Sequence, residues 1–398
     1  MSLTMLSQDR WLLPEGIEET FADEAERLDR LGRQLIDRLA VWGYRLVIPP
    51  TIDYLDSLLV GTAHELDLQT LKLADPVSGR LIGLRADMTP QVARIDARTA
   101  TPGVPARLCY VGSVVHAMTG HLDKSRNPIQ IGAELYGAEG TAASGEVIQL
   151  MLECLEVAGV RDVFLDLGHV GIYRAIGRQA GLSALHENAI FDLLQRKDAS
   201  DLERLIEEEG ISPKFADLLM ALLELNGPVA ILDEARQRLG SAGDVVQSAL
   251  EELQAIAANL MERFPGLSLN VDLAELRGYQ YHTGLVFAAF VPGQGKEIAR
   301  GGRYDDIGRV FGKARPAVGF SADLRVLARL SQNAEMAVAE IGPIFAPADK
   351  DSALDHLIRT LREEGRTVIR ALGGADETPD RLGCRQSLVK TNGDWRLV

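Results

Sequence analysis

The chain has 398 residues, 46% of them hydrophobic and 25% charged, which is long enough and apolar enough for more than one domain with its own core. Its 57 acidic residues outnumber 42 basic ones, for a net charge of −15, so it lacks the broad positive field on which nucleic-acid binding rests. Cys109, Cys154 and Cys384 are too few and too scattered for a disulfide framework or a metal knuckle and read as reduced thiols of a cytoplasmic protein; no apolar run approaches the roughly 20 residues of a membrane helix, and no secretory signal opens the chain.

Residues 18 to 41 carry Phe21, Ala25, Leu28, Leu31, Leu35, Ile36 and Leu39 at helical spacing, with acids early and arginines late, as the helix dipole prefers. The helix should end at Gly43, and Tyr44 to Thr51 should form a strand stopped by Pro49-Pro50. Leu71 to Leu73 and Leu81 to Leu84 flank turn residues 75 to 79 and predict a hairpin. Directly after it come Asp87 and Thr89, then a helix carrying Arg94. An acid and a hydroxyl two residues apart at a strand end can point into one cleft, where they would hold an ammonium group; they can equally cap the following helix.

Residues 107 to 116 and 129 to 137 read as two strands joined by a polar loop. Gln130, Gly132 and Glu134 share one face by the period of two, and polar groups on an otherwise buried strand need partners, which points to a pocket wall. A helix over 144–156 and a strand over 163–167 follow. Residues 171 to 264 are rich in Ala, Leu, Glu, Gln and Arg at helical spacing and predict about five inserted helices without visible chemistry. Strands resume at 267–273 and lead into Arg277-Gly278-Tyr279-Gln280-Tyr281-His282-Thr283-Gly284. An apolar strand, Leu285 to Phe290, and a turn at 292–295 separate this run from Ala299-Arg300-Gly301-Gly302-Arg303-Tyr304-Asp305-Asp306, a glycine-pair turn flanked by arginines. Residues 317 to 327 read as a strand entering a helix. The tail, 341–398, is predicted as strand, helix, strand and a late hairpin turning at Asn392-Gly393, with nine basic and nine acidic residues.

Several unrelated words recur here in one order: Arg85-x-Asp87-x-Thr89, the strand pair around 107–137, Arg277-Gly278-x-x-Tyr281-x-Thr283-Gly284, Gly301-Gly302-Arg303-Tyr304-Asp305, and Ala317-Val318-Gly319-Phe320. From residue 10 to about 330 the chain resembles the histidyl-tRNA synthetase family, within the class II synthetases. The resemblance implies an α+β fold, a class II synthetase-like antiparallel sheet flanked by helices. Residues 1–170 and 265–330 would form the catalytic-type core, 171–264 a helical insertion, and 341–398 a small α/β unit, shorter than an anticodon-binding domain. The long helix and Pro-stopped strand would match the motif that builds the family's dimer interface. Carried over, Asp87 (the family has Glu) and Thr89 would hold the ammonium of an amino acid, with Gln130 and Glu134 continuing the wall. Arg277 would lie over its carboxylate, and Tyr281 and Tyr304 would border its side chain.

The departures are chemical. Where the family carries Phe-Arg-x-Glu for the ATP α-phosphate, this chain reads Val115-His116-Ala117-Met118. Where it carries Glu-Arg near the γ-phosphate, this chain reads Arg325-Val326. Adenylation develops charge on the α-phosphate and needs fixed cations, and a neutral histidine does not replace a guanidinium. His116 and Val326 are thus lost ATP-site positions. The pattern is similar to a paralogous family, the regulatory subunits of short-form ATP phosphoribosyltransferase. Membership would imply no intrinsic catalysis, no cofactor or metal, and assembly with a short catalytic subunit into a hetero-octamer. It would also imply self-association as a dimer, histidine as feedback effector of histidine biosynthesis, and no tRNA, DNA or membrane partner. The competing readings are a divergent histidine–tRNA ligase, a paralogue that transfers an amino acid to another acceptor, and a binding module with a vestigial pocket.

Overall fold

The computed structural model describes residues 12–59, 64–118, 125–275, 281–312, 314–331, 342–374 and 377–398. Two compact units divide the chain, residues 1–332 and 333–398. The larger begins with α1 (Ala22–Val41), β1 (Arg45–Leu46), β2 (Ile52–Tyr54), α2 (Leu55–Leu58), α3 (His64–Gln69), β3 (Leu71–Ala74), β4 (Leu81–Leu84) and α4 (Thr89–Thr99). It continues with β5 (Ala106–Ser113), β6 (Ile129–Tyr136), α5 (Gly140–Val157) and β7 (Phe164–His169). Then come α6 (Val170–Ala180), α7 (Ala184–Gln195), α8 (Ala199–Glu208), α9 (Pro213–Glu224), β8 (Asn226–Pro228), α10 (Ile231–Arg238) and α11 (Asp244–Arg263). The chain returns to the sheet with β9 (Ser268–Asp272), β10 (Leu285–Phe290), β11 (Ala299–Arg303) and β12 (Ala317–Asp323), and ends this unit with α12 (Leu324–Leu330).

Nine strands form one sheet in the order β1-β5-β6-β12-β11-β10-β7-β9-β8. From β5 to β7 every neighbour is antiparallel, as the expected class II synthetase-like sheet requires, while β1 joins β5 and β9 joins β7 in parallel at the flanks. The parallel β7–β9 pair has a simple cause, since the helices α6 to α11 supply the crossover that parallel strands require. Strands β2, β4 and β3 form a separate three-stranded sheet.

Helix α1 buries Leu28, Leu31, Leu35 and Leu39, each contributing on the order of 2 kcal/mol. Phe21, expected on that face, sits at the N-cap and is 75% exposed, one residue before the helix establishes its phase. Polar ties then hold α1 and its following turn against α5: Trp42 Nε1 donates to Glu153 (2.9 Å), Tyr44 OH to Glu146 (3.0 Å), and Arg107 to both Glu146 oxygens (2.7 Å each). The strand expected over 44–51 is divided. Pro49-Pro50 offers no N–H to a ladder, so β1 ends early and β2 restarts in the other sheet.

The glycine pair 301–302 is not a turn. It lies inside β11, paired to β10 on one side and β12 on the other. A Cβ on Gly302 would sit 2.6 Å from the His282 ring and 2.7 Å from the Leu285 carbonyl, so here glycine serves close approach of neighbours. The smaller unit carries β13 (Ile344–Ala346), α13 (Ser352–Glu363), β14 (Val368–Arg370), β15 (Gln386–Thr391) and β16 (Asp394–Leu397), in sheet order β14-β13-β15-β16. Its core is Ile344, Ala346, Leu354, Ile358, Leu361, Val368 and Leu388. The β15–β16 hairpin turns at Asn392-Gly393, both with positive φ, as a type I′ turn demands. All three cysteines are free and buried.

Candidate functional site

A cavity of about 280 Å³ opens over the middle of the large sheet. The β4–α4 turn, β6, the β10–β11 hairpin, Tyr304 and the β12–α12 junction each contribute wall residues. Asp87, Thr89, Gln130, Glu134, Tyr281 and Tyr304 all line it, together with His116 and Val326. Arg277 lies outside the described residues.

Asp87 does both things its sequence position allowed. Its Oδ1 accepts the Thr89 N–H (3.0 Å) at the start of α4 and the Gln130 side-chain amide (2.8 Å), while the carboxylate faces the cavity. Gln130 closes the loop by accepting the Met88 N–H at 2.9 Å. The period-two face of β6 thus fixes the β4–α4 turn from below. Thr89 turns its hydroxyl to Glu134 Oε1 (3.0 Å), so its polar contact is with the pocket floor, not shared with Asp87.

Glu134 is the electrostatic centre. It is 1% exposed and accepts from Thr89, from Tyr110 OH (2.9 Å) and, on its other oxygen, from Tyr304 OH. Burial pushes its pKa from the ordinary 4.5 up to about 8, outweighing the hydroxyls that stabilise the anion. A neutral Glu134 carries a proton of its own to donate, so one of the three hydroxyls must then turn to accept. Gly319 makes room for this carboxyl, since a Cβ there would overlap it.

Tyr281 stacks on Tyr304 at 5.0 Å and 28°, forming an aromatic wall. The Tyr281 hydroxyl is buried and has no hydrogen-bond partner among the described residues, an uncommon state for a phenol. Among the described lining residues, even with Glu134 protonated, the carboxyls of Asp87, Glu275, Glu297 and Asp323 outnumber the cations Lys296 and Arg300. Such a lining favours a ligand with an ammonium or imidazole group.

The side carrying His116 and Val326 is different. His116 Nε2 lies 3.2 Å from the Ala86 carbonyl, which selects the tautomer that donates from Nε2. Burial first, and the nearby positive charges of Lys296 and Arg300, lower its pKa, so it is neutral at pH 7. Val326 presents only an aliphatic group to the cavity. Arg325, one position earlier, is buried and donates to Thr20 Oγ1 in the segment before α1. The arginine is therefore present but aimed elsewhere. Sequence reasoning missed Tyr110, which supplies a third donor to Glu134. Its signal was available in the strand pair: Tyr110 stands opposite Gly132 in the β5–β6 register, a large ring over an empty position.

No helix among the described residues is long and apolar enough to cross a membrane, and none of these residues form a group of three or more metal-ligating side chains.

Residues 16–327 match the histidyl-tRNA synthetase family, and residues 342–398 match the ATP phosphoribosyltransferase subunit HisZ C-terminal domain. The ATP phosphoribosyltransferase regulatory subunit of Methylococcus capsulatus is 54% identical over 98% of this chain and 96% of its own length. That of Thioalkalivibrio sulfidiphilus is 53% identical over 99% and 100%. A Bacillus halodurans structure described as an ATP phosphoribosyltransferase regulatory subunit/histidyl-tRNA synthetase superposes with a TM-score of 0.82 at 26% identity, covering 95% of this chain and 97% of that one. Histidyl-tRNA synthetase from Nostoc shares the fold at 17% identity, TM-score 0.75, over 98% and 96% of the two chains. With a histidyl-tRNA synthetase-like unit, a second unit of the HisZ type and relatives 54% and 53% identical over nearly their whole length, this chain belongs to the ATP phosphoribosyltransferase regulatory subunit family.

Proposed function

We propose that the chain acts as the non-catalytic regulatory subunit of ATP phosphoribosyltransferase, needed by a short catalytic subunit for activity in the first step of histidine biosynthesis, and that its cavity senses histidine as the feedback signal. One observation supports this: Asp87, Thr89, Gln130, Glu134, Tyr281 and Tyr304 line one cavity, while a neutral His116 and an aliphatic Val326 stand where the synthetase family would carry arginines. In this reading the histidine ammonium sits on Asp87, its ring lies between Glu134 and the Tyr281–Tyr304 wall, and Arg277 takes the carboxylate. Histidine binding then shifts an equilibrium between assembly states by its differential affinity for them.

Self-association as a dimer is supported by the exposed apolar side chains Leu46, Ile48 and Ile52 (49%, 85% and 50% exposed) around the edge strand β1. A hetero-octamer with the catalytic subunit, in the cytoplasm, completes the proposal.

The test mixes the purified chain with a short-form catalytic subunit and assays phosphoribosyl transfer with and without histidine. Activity that depends on this chain and falls with histidine is expected. Histidine-dependent pyrophosphate exchange by the chain alone would instead establish a divergent ligase and overturn the proposal.

A further inference from the structure

We propose that Lys197 and Gln195, at the α7–α8 corner of the helical insertion, are positioning residues that tether the insertion to the cavity wall and set its affinity for its amino-acid ligand. The inference rests on the histidine-pocket reading above and gives the insertion a role in it.

Lys197 has a φ of 55°, the left-handed conformation in which a helix-ending glycine is the ordinary occupant. A lysine held there is conformationally disfavoured, and its side chain is used: Nζ reaches both carboxylate oxygens of Asp272, at 2.6 and 2.8 Å. Asp272 ends β9 and is 7% exposed, so its charge needs this partner. Its Oδ1 also accepts the Ala274 N–H (2.9 Å), and its carbonyl accepts the Glu275 N–H (3.1 Å). Gln195, two residues before Lys197, donates to the Ala274 carbonyl at 2.9 Å. The insertion therefore grips the turn 272–275 by one ion pair and one hydrogen bond.

That turn ends at the cavity. Glu275 is a wall residue, as is Tyr281, stacked on Tyr304. The turn is also seated closely on the sheet: a Cβ on Gly168 of β7 would lie 2.7 Å from the Glu275 carbonyl oxygen and 3.0 Å from that of Asp272. With so little slack, a displaced α7–α8 corner moves Glu275 in the cavity wall. Beyond Tyr281 the cavity wall is tied to the start of α6 and to β11, by Val170 N–H on the Gly284 carbonyl (3.0 Å) and Thr283 N–H on the Arg303 carbonyl (2.7 Å). A partner bound on the α7–α8 corner and a ligand in the cavity would thus influence one another reciprocally.

The experiment uses the full chain, histidine titration by calorimetry at neutral pH, and a thermal melt of each variant. Lys197→Gly removes the tether while relieving the left-handed backbone. Its histidine Kd should rise roughly 3- to 30-fold, and its melting temperature should fall to the extent that the unpartnered Asp272 charge outweighs the relieved backbone. Lys197→Arg, which keeps the ion pair, should bind close to wild type, and Gln195→Ala should weaken binding in the same direction. Glu134→Gln serves as the pocket control. If Glu134→Gln loses binding but Lys197→Gly and Gln195→Ala bind as wild type, the tether is overturned and the pocket stands. If wild type binds no histidine, or Glu134→Gln binds it equally well, the pocket reading falls and this proposal falls with it. Should Lys197→Gly fold poorly, Gln195→Ala decides alone, since it leaves the ion pair in place.

Discussion

Glu134→Gln isolates the electrostatic cost of the pocket floor. The folded acid has its pKa at about 8 against an ordinary 4.5, because burial disfavours the anion. The sign follows from linkage. Between these two values the unfolded chain releases the proton and the folded chain keeps it, so stability is highest below the unfolded pKa, falls as pH rises, and levels off above the folded pKa. Each tenfold in proton affinity is worth about 1.4 kcal/mol, so the loss completed by pH 9 is on the order of 3 to 5 kcal/mol. Glutamine has nearly the same shape, keeps an acceptor for Tyr304 or Tyr110, and does not titrate. Urea denaturation midpoints of both proteins at pH 5, 7 and 9 measure the difference directly. Wild type should match or exceed the variant at pH 5 and fall behind it by pH 9. A wild-type-minus-variant difference that stays flat across this range would refute the assignment of a raised pKa to Glu134.

The same acid predicts that a cationic ligand expels its proton. Calorimetric histidine-binding enthalpies at pH 7 should therefore differ between buffers of low and high ionisation heat, in proportion to the most of one proton that is released. Asp87→Ala removes the acceptor of both Thr89 N–H and Gln130 and should weaken histidine binding by about 1.5 to 3 kcal/mol, read as a Kd roughly ten- to a hundredfold higher in the same titration. Replacing the two phosphate-side positions together, His116→Arg with Val326→Arg, should tighten ATP binding by about tenfold or more, measured by equilibrium dialysis. Unchanged ATP affinity in that variant would show that something other than these two side chains excludes the nucleotide.

Much of the fold was legible because local patterns and tertiary demands agreed. The β3–β4 hairpin, the β5–β6 pair and the Asn392-Gly393 turn fall where turn residues and alternation put them. The pocket face of β6 was readable from period two alone, since Gln130 and Glu134 had no other buried role to fill. Where local propensity and packing conflict, the sequence misleads. Gly301-Gly302 has the composition of a turn, yet the Phe287 ring and His282 occupy the space that side chains on β11 would need, and that is a fact about neighbouring strands. Phe21 fits the helical spacing but precedes the first helical residue, a boundary that spacing does not mark. Lys197 carried no local signal at all: its partner Asp272 is distant in sequence, and only the folded chain brings them together.

The placement of Arg325 shows how a synthetase scaffold can lose its chemistry while keeping its pocket. Strand β12 pairs with β6 from Ala317↔Tyr136 to Asp323↔Gln130, and this register aligns Gly319 with Glu134 and so makes room for the buried carboxyl. Asp323 then ends the strand by capping the Arg325 N–H at 2.9 Å, which fixes the start of α12. The pocket and the helix start are thus set by one continuous run of pairing, and the next two residues are set by helix phase. Val326 falls on the cavity and Arg325 on the opposite side, against Thr20. A shift of one residue would restore an arginine to the cavity, but it would also slide Gly319 off Glu134 and turn the inward side chains of β12 outward. The register that seats the Glu134 carboxyl is therefore incompatible with turning this arginine into the cavity.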